Sequence, residues 1–574
     1  MNLWFFLAML GLVGCDFSSP ETQTIVNSCA SASDCSAGTC GDGICIDDSR
    51  ASLEVAVEVL RGSSDPERVI PASWAFAAES VSSGTVRDLD LPATREVRGL
   101  VRWADARVPA TLSFVPRMQP GVASIAPVEV DVETFRDEAS ADGEQVHDFS
   151  VLLVAGESYD LVVTPSNDLV LNPTDGAAPA IRSLPPLYLE VQVESGATTE
   201  PMRFDIAFPT NLSTACNALQ NTSCTFDGQV LSVDADLEME EPEAGLQVRA
   251  IDETSGRVVS SIAETDELGH FEIRIGETTS SYLIRITSSV GRDPFPSVSV
   301  NPTLAFPNNP LQNRIYVPRL DPIQFTGRVR DRDETPVSNA TVRFLSTGIF
   351  AGTALGLDGS FSASATTDGE GRFGIPLLPG FYAITVTPPD DGKSSWGVLT
   401  AEALVGEDVT TTEALIVPEQ IGFRGWVATF LDEPAAGVTI LARARPSAEA
   451  GLVNRSQETV TNELGAFAMT LDTGLYDVHV KVSAETGFAW FVEPELLLSA
   501  DDGERTRRYL LEPPIPLQGL VRTSDGASVA NAVVRAHILR YGEDGTTRSI
   551  QVAETVSGED GTYRLLIAPR LGAE

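Results

Sequence analysis

A chain of 574 residues, 43% of them hydrophobic, is long enough for several cores, and domain sizes allow about four to six units. Its 81 acidic against 39 basic residues give a formal net charge of −42, so phosphate backbones and anionic lipid surfaces are repelled and nucleic acid is not an expected partner. The 46 Gly and 36 Pro are scattered rather than clustered, which suits short strands joined by turns.

Met1 to Cys15 reads MNLWFFLAMLGLVGC, an apolar run ending in small residues and too short for a permanent membrane span. That is the form of an export signal. Its Leu12-Val13-Gly14-Cys15 ending resembles the bacterial lipobox, although no Lys or Arg precedes the apolar run. The resemblance implies that residues 1–14 are removed and that Cys15 carries the lipid anchor. Acyl chains hold a protein because each buried methylene contributes about 0.8 kcal/mol, one chain alone being marginal. The implied location is the cell envelope, outer membrane or periplasm, reached by export.

Six cysteines then remain, an even number that suits an oxidising compartment. Cys29, Cys35, Cys40 and Cys45 have five, four and four residues between them and no nearby His. Zinc knuckles favour two-residue gaps, so two disulfides are expected, with three connectivities open. The segment resembles the short Cys-rich modules near the N-terminus of many lipoproteins of myxobacteria and their relatives. It is read as residues 15–50 together with the anchor. Residues 51–94 open on LEVAVEVL, whose alternation predicts a half-buried strand. This segment is too short for a sandwich of its own and reads as a β segment or partial domain.

From Val97 a repeat begins. A Gly lies inside an apolar strand at Gly99, Gly228, Gly327, Gly425 and Gly519, the later four roughly 100 residues apart. Acidic or polar turns follow at Gly143, Gly269, Gly371, Gly465 and Gly561, each leading to an aromatic: Phe149, Phe271, Phe373, Phe467 and Tyr563. A Tyr-bearing strand comes next at Tyr159, Tyr282, Tyr382 and Tyr476. The block from Thr366 to Val386, TTDGEGRFGIPLLPGFYAITV, is the clearest copy. With its strand Gly, T-D-x-x-G-x-F turn and G-x-Y strand, it resembles the carboxypeptidase regulatory-like domains. That resemblance implies a seven-strand, transthyretin-like sandwich. Alternation, turn spacing and repeat length independently favour an all-β chain of tandem antiparallel β-sandwiches in an elongated array.

Apolar-Pro pairs precede each opening strand: Leu91-Pro92, Phe208-Pro209, Val317-Pro318, Val417-Pro418 and Leu511 to Pro514. Such joints act as stiff hinges. The expected units are a divergent sandwich 1 at 95–209, then sandwiches 2, 3 and 4 at 210–319, 320–418 and 419–513, and an incomplete fifth at 514–574. The fifth stops where its Tyr-bearing strand is due, and is read either as truncated or as completed by a partner strand. Cys216 and Cys224, in the joint before Gly228, are expected to close a local disulfide loop.

Catalysis has little support. His147, His270, His479 and His537 are far apart, and neither H-E-x-x-H, G-x-S-x-G nor a P-loop occurs. No cofactor is implied. Lys is confined to Lys393 and Lys481, so Lys-Asn isopeptide staples are not expected in these sandwiches. Asp234 and Asp236, with Glu238, Glu240 and Glu241, are a candidate Ca²⁺ site by their hard oxygens, set against an acidic solvent-facing edge. Asp266 and Asp368 stand between ion binding and turn capping. Trp396 and Trp490 each follow the Tyr of their repeat by fourteen residues. Stacking on a glycan is set there against core or joint packing. The reading is a non-catalytic, lipid-anchored envelope protein acting as a structural stalk or interaction scaffold, with carbohydrate binding or adhesion as the alternative. Its partners are the membrane, through the anchor, and polysaccharide or other envelope proteins.

Overall fold

The computed structural model describes residues 27–29, 35, 39–41, 44–46, 53–61, 73–82, 84–104, 106–117, 127–132, 147–166, 184–195, 200–210, 224–233, 240–276, 281–288, 295–300, 314–319, 321–348, 359–390, 395–406, 409–445, 454–541 and 547–572. Within these the chain is nearly all β, in tandem antiparallel sandwiches.

Sandwich 3 shows the plan. Ile323–Arg330 pairs antiparallel with Arg372–Leu377 and parallel with the closing strand Leu415–Ile416. Facing this sheet is a four-stranded one in the order Ser362–Thr366, Thr341–Gly348, Gly380–Thr387, Leu399–Val405. Alternation decides which side chains meet between them: Phe325, Phe344, Ile384 and Val386 point inward and are buried. Sandwich 4 repeats the plan with Ile421–Thr429 between Ala466–Leu471 and Glu504–Leu511, against the sheet Gln457–Val460, Thr439–Arg445, Gly474–Lys481, Phe491–Leu498.

In sandwiches 2, 3 and 4 the turn before the aromatic is built by one acid or amide. Asp368 Oδ1 accepts from the backbone N–H of Glu370 (2.9 Å) and of Arg372 (2.8 Å). Asp266 does the same for Leu268 and His270, and Asn462 for Leu464 and Ala466. The bond from the Arg372 N–H holds the Asp368 carboxyl below the usual range. Both aspartates are therefore turn caps. Gly371 follows at φ 70°, the left-handed region, and a Cβ there would lie 2.4 Å from the Val329 carbonyl oxygen.

The strands due after Thr562–Ile567 in the fifth repeat are supplied by an earlier segment of the same chain. Leu53–Leu60 pairs antiparallel with Val533–Tyr541, and Ser73–Val81 pairs with Leu53–Leu60. This makes the four-stranded sheet Ser73–Val81, Leu53–Leu60, Val533–Tyr541, Thr547–Val556. Its partner sheet is Thr562–Ile567, Ile515–Arg522 and, in parallel, Leu89–Asp90. Position for position this is the plan of sandwich 4. Residues 51–94, read as a β segment or partial domain, are the second half of a sandwich whose first half is the C-terminal repeat. Val55, Val57, Val59, Leu89 and Leu91 share one core with Leu517, Val534, Ala536, Ile550 and Leu565. Each of these Val, Leu and Ile side chains contributes about 1.5 to 3 kcal/mol by leaving water, burial that neither half provides alone. The two ends of the chain meet in this composite unit.

Candidate functional site

The composite sandwich is held by more than its core. Tyr563 Oη donates to the Arg87 carbonyl (2.7 Å), and Asp88 accepts from the Leu520 N–H (3.0 Å) and pairs with Arg522. Arg522 also pairs with Asp90 (3.1 Å).

Sandwich 4 docks on this unit. Arg548, from the C-terminal half, pairs with Asp477 and with Glu495 (3.2 Å), and Arg445 of sandwich 4 reaches Glu495 from the other side (3.2 Å). His479 is buried beside them, and burial, with Lys481 adding to it, pushes its imidazole down to about 4. Between about pH 6.5 and 4 the unfolded chain binds a proton that the folded one refuses, so the stability present above pH 6.5 falls with pH. A loss of about 2 kcal/mol is expected at pH 5 relative to pH 7.5, and His479→Gln should abolish that part of the pH dependence in denaturant titrations.

Sandwiches 3 and 4 meet over a buried pair. Arg455 Nε lies 3.0 Å from Asp472 Oδ2, whose side chain is 1% exposed. The same guanidinium donates to the carbonyls of Trp396 (2.8 Å) and Pro388 (3.1 Å) in sandwich 3. Arg455→Ala leaves Asp472 buried without its counter-charge, and a loss of about 3 kcal/mol in the melting of this pair of units is expected by calorimetry. Between sandwiches 2 and 3 a sheet crosses the joint: Ser297 pairs with Ser360 and Val298 with Gly359. Their cores form one cluster from Cys224 to Val417. Sandwich 1 touches sandwich 2 where Tyr188 Oη donates to the Val258 carbonyl (2.8 Å) and Arg257 covers the Tyr188 ring.

Trp396 and Trp490 take up equivalent places at successive joints. Trp396 is half-buried on the core shared by sandwiches 2 and 3, with its backbone bridged to Glu419. Trp490 packs on the core of sandwich 4, donates Nε1–H to the Val482 carbonyl (3.1 Å) and is bridged to Ile567 of the composite unit. The Lys481 ammonium stands 4.8 Å from its ring centre. Both rings are thus partly buried against cores beside joints.

The Cys-rich module holds the disulfides Cys29–Cys40 and Cys35–Cys45. It docks on the short turn Ala484–Thr486 of sandwich 4. Buried Asn27 donates its side-chain amide to the Cys45 (2.9 Å) and Gly487 (2.8 Å) carbonyls, and its backbone N–H to Thr486 (2.7 Å). The sulfurs of Cys29, Cys35 and Cys45 cluster as three ligands would, but all are tied up in disulfides. Cys224 is disulfide-bonded, while Cys216 lies outside the described residues, as do Cys15, Asp234 and Asp236. Of the remaining acids near that candidate Ca²⁺ site, Glu240 pairs with Arg314 (3.1 Å) and Glu241 with Arg319 (2.6 Å). Among the described residues no helix is long and apolar enough to cross a membrane.

The clasp between the chain's two ends escaped the reading of the repeats, yet one signal marks it. Leu89-Asp90-Leu91-Pro92 ends as Ile206-Ala207-Phe208-Pro209 and Leu415-Ile416-Val417-Pro418 do, and those segments close sandwiches 1 and 3.

No protein-family model matches the sequence, and no curated protein matches it. Among solved structures, a streptococcal ancillary pilin is similar over 55% of this chain and 98% of its own, at 11% identity and a TM-score of 0.19. The TIE protein of Bacillus anthracis is similar over 72% of this chain and 73% of its own, at 10% identity and a TM-score of 0.16. BcpA, the major pilin subunit of Bacillus cereus, is similar over 50% of this chain and 99% of its own, at 11% identity and a TM-score of 0.14. A likeness this slight carries no inference about what the present chain does.

Proposed function

We propose that this chain is a non-catalytic, lipid-anchored protein of the bacterial cell envelope that serves as a structural stalk or interaction scaffold. The observation that carries the reading is the bonding of its joints. Sandwiches 1 to 4 are tied in succession by hydrogen bonds, a shared sheet or a buried ion pair, and the composite unit ties the chain's two ends together. Charged groups are spent on caps and joints, as the Asp368 turn and the Arg455–Asp472 pair illustrate. Disulfides in the N-terminal module suit an oxidising compartment, in keeping with export. Anchoring at Cys15 follows from the lipobox-like sequence.

Metabolic labelling with a palmitate analogue tests the anchor. Label should enter the intact chain and be absent from Cys15→Ala, and equal labelling of both removes the anchor from the reading. Turnover of peptide or glycoside substrates by the purified protein would overturn the non-catalytic part.

A further inference from the structure

The four-stranded sheet of sandwich 4 turns a charged outer face, with Asp477 and Glu495, toward Arg548 of the composite unit. The same face of sandwich 3 is of another kind. Phe381, Leu404 and Leu345 are 53%, 48% and 48% exposed. They form one patch, since Phe381 pairs directly with Leu404 while Leu345 lies across from Ala383 on the neighbouring strand. Hydroxyls extend the face on either side, with Ser362 and Ser364 on one edge strand and Thr385 and Thr400 toward the other. Arg343 and Glu402 are the charged residues on these four strands, one of each sign, in a chain of net charge −42. Where the hydroxyl edge meets sandwich 2, Ser297, Ser360 and Phe361 line a cavity of about 510 Å³ that also reaches Leu345.

We propose that this face, with the adjoining cavity, binds a neutral polysaccharide. A pyranose ring has an apolar face of C–H groups and a rim of hydroxyls. Phe381 and its aliphatic neighbours offer the first an exposed apolar patch, and the serine and threonine rows offer the second donors and acceptors. The near-absence of charge selects against an anionic ligand, since a negatively charged chain would meet the field of the whole acidic protein with no local compensation. That field also repels a second copy. The strand pairing on both sides of Phe381 and the crossing sheet at Ser297–Ser360 hold the patch in place before binding, which lowers the ordering cost. The site lies apart from Trp396 and Trp490, and its binding is independent of whether Cys15 is acylated.

The test is native affinity electrophoresis of the full chain, whose charge drives it well into a gel, with dextran, laminarin, galactomannan or arabinoxylan cast into separate gels. Alginate and polygalacturonate serve as anionic counterparts. Retardation by at least one neutral polymer and by neither anionic one is expected. Phe381→Ala should weaken it roughly tenfold and the double variant with Leu404→Ala should abolish it, both proteins keeping the parent's melting temperature. Trp490→Ala should bind as the parent does. Absence of retardation in every neutral gel overturns the proposal, as does binding that survives the double variant. Concentration-dependent dimerisation that the double variant abolishes also overturns it, by giving the face to a second copy.

Discussion

Val57→Asp is expected to melt the composite sandwich and to leave the other four standing. Val57 is fully buried between Ala536 of the C-terminal half and Phe76 of the N-terminal half. A carboxylate there has no partner, and the loss of apolar burial adds to its desolvation. Together these cost about 5 kcal/mol or more, comparable with the whole stability of one domain. Calorimetry should show one transition lost or moved far down. Limited proteolysis should be more telling. Although the substitution lies in residues 53–91, new cuts should appear both there and in 515–567, because neither half buries its apolar face without the other. Glu54→Lys, on the exposed face of the same strand, should change neither. Cuts confined to the N-terminal segment would mean that the C-terminal half stands alone and would refute the composite unit.

The second large effect is expected at the opening glycines. A Cβ on Gly425 would lie 2.0 Å from the Arg507 carbonyl oxygen, and one on Gly519 would lie 2.0 Å from that of Arg87. Both obstacles are backbone, Arg507 within a closing strand pinned in parallel register and Arg87 just before one, so relief requires that segment to detach. Gly425→Ala and Gly519→Ala should each cost about 4 kcal/mol or more. The nearest atoms to a Cβ on Gly327 belong to the side chains of Phe373 and Thr412, which yield more readily than backbone, and its Ala variant should cost about half as much. Gly503→Ala, with nothing within 4 Å, serves as the control. Chemical denaturation of the four variants checks the ranking. Equal losses at Gly327 and Gly425 would show that the closing strand is not the obstacle.

These two sets of residues differ in how far they could be read from the sequence. The opening glycines and turn glycines stand out because they recur at a fixed place in each repeat. What each glycine avoids was hidden. The obstacle is a carbonyl that comes about 80 residues later in sandwich 4 and more than 400 residues earlier in the composite unit. Asp368 and Asp266 were ambiguous between ion ligand and cap, and the bonds to their own backbone two and four residues on resolve them. Trp396 and Trp490 could be aligned by spacing, but which way a ring faces depends on the neighbouring unit, which their repeats do not encode.

The sequence by itself determined the all-β class, the length of the repeat and the places of its turns. Each of these rests on interactions within a few residues: alternation along a strand, an Asp bonded to its own turn, a Gly tolerant of positive φ. Only the tertiary structure decided where the fifth sandwich finds its last strands. The half that ends the chain exposes an edge and an apolar face, and any strand of the right alternation satisfies the backbone bonds. What selects Leu53–Leu60 and Leu89–Asp90 is the set of Val55, Val57, Val59, Leu89 and Leu91 against one particular core, together with Asp88 and Asp90 against Arg522. That is a match between surfaces more than 400 residues apart, and a local pattern carries no record of it.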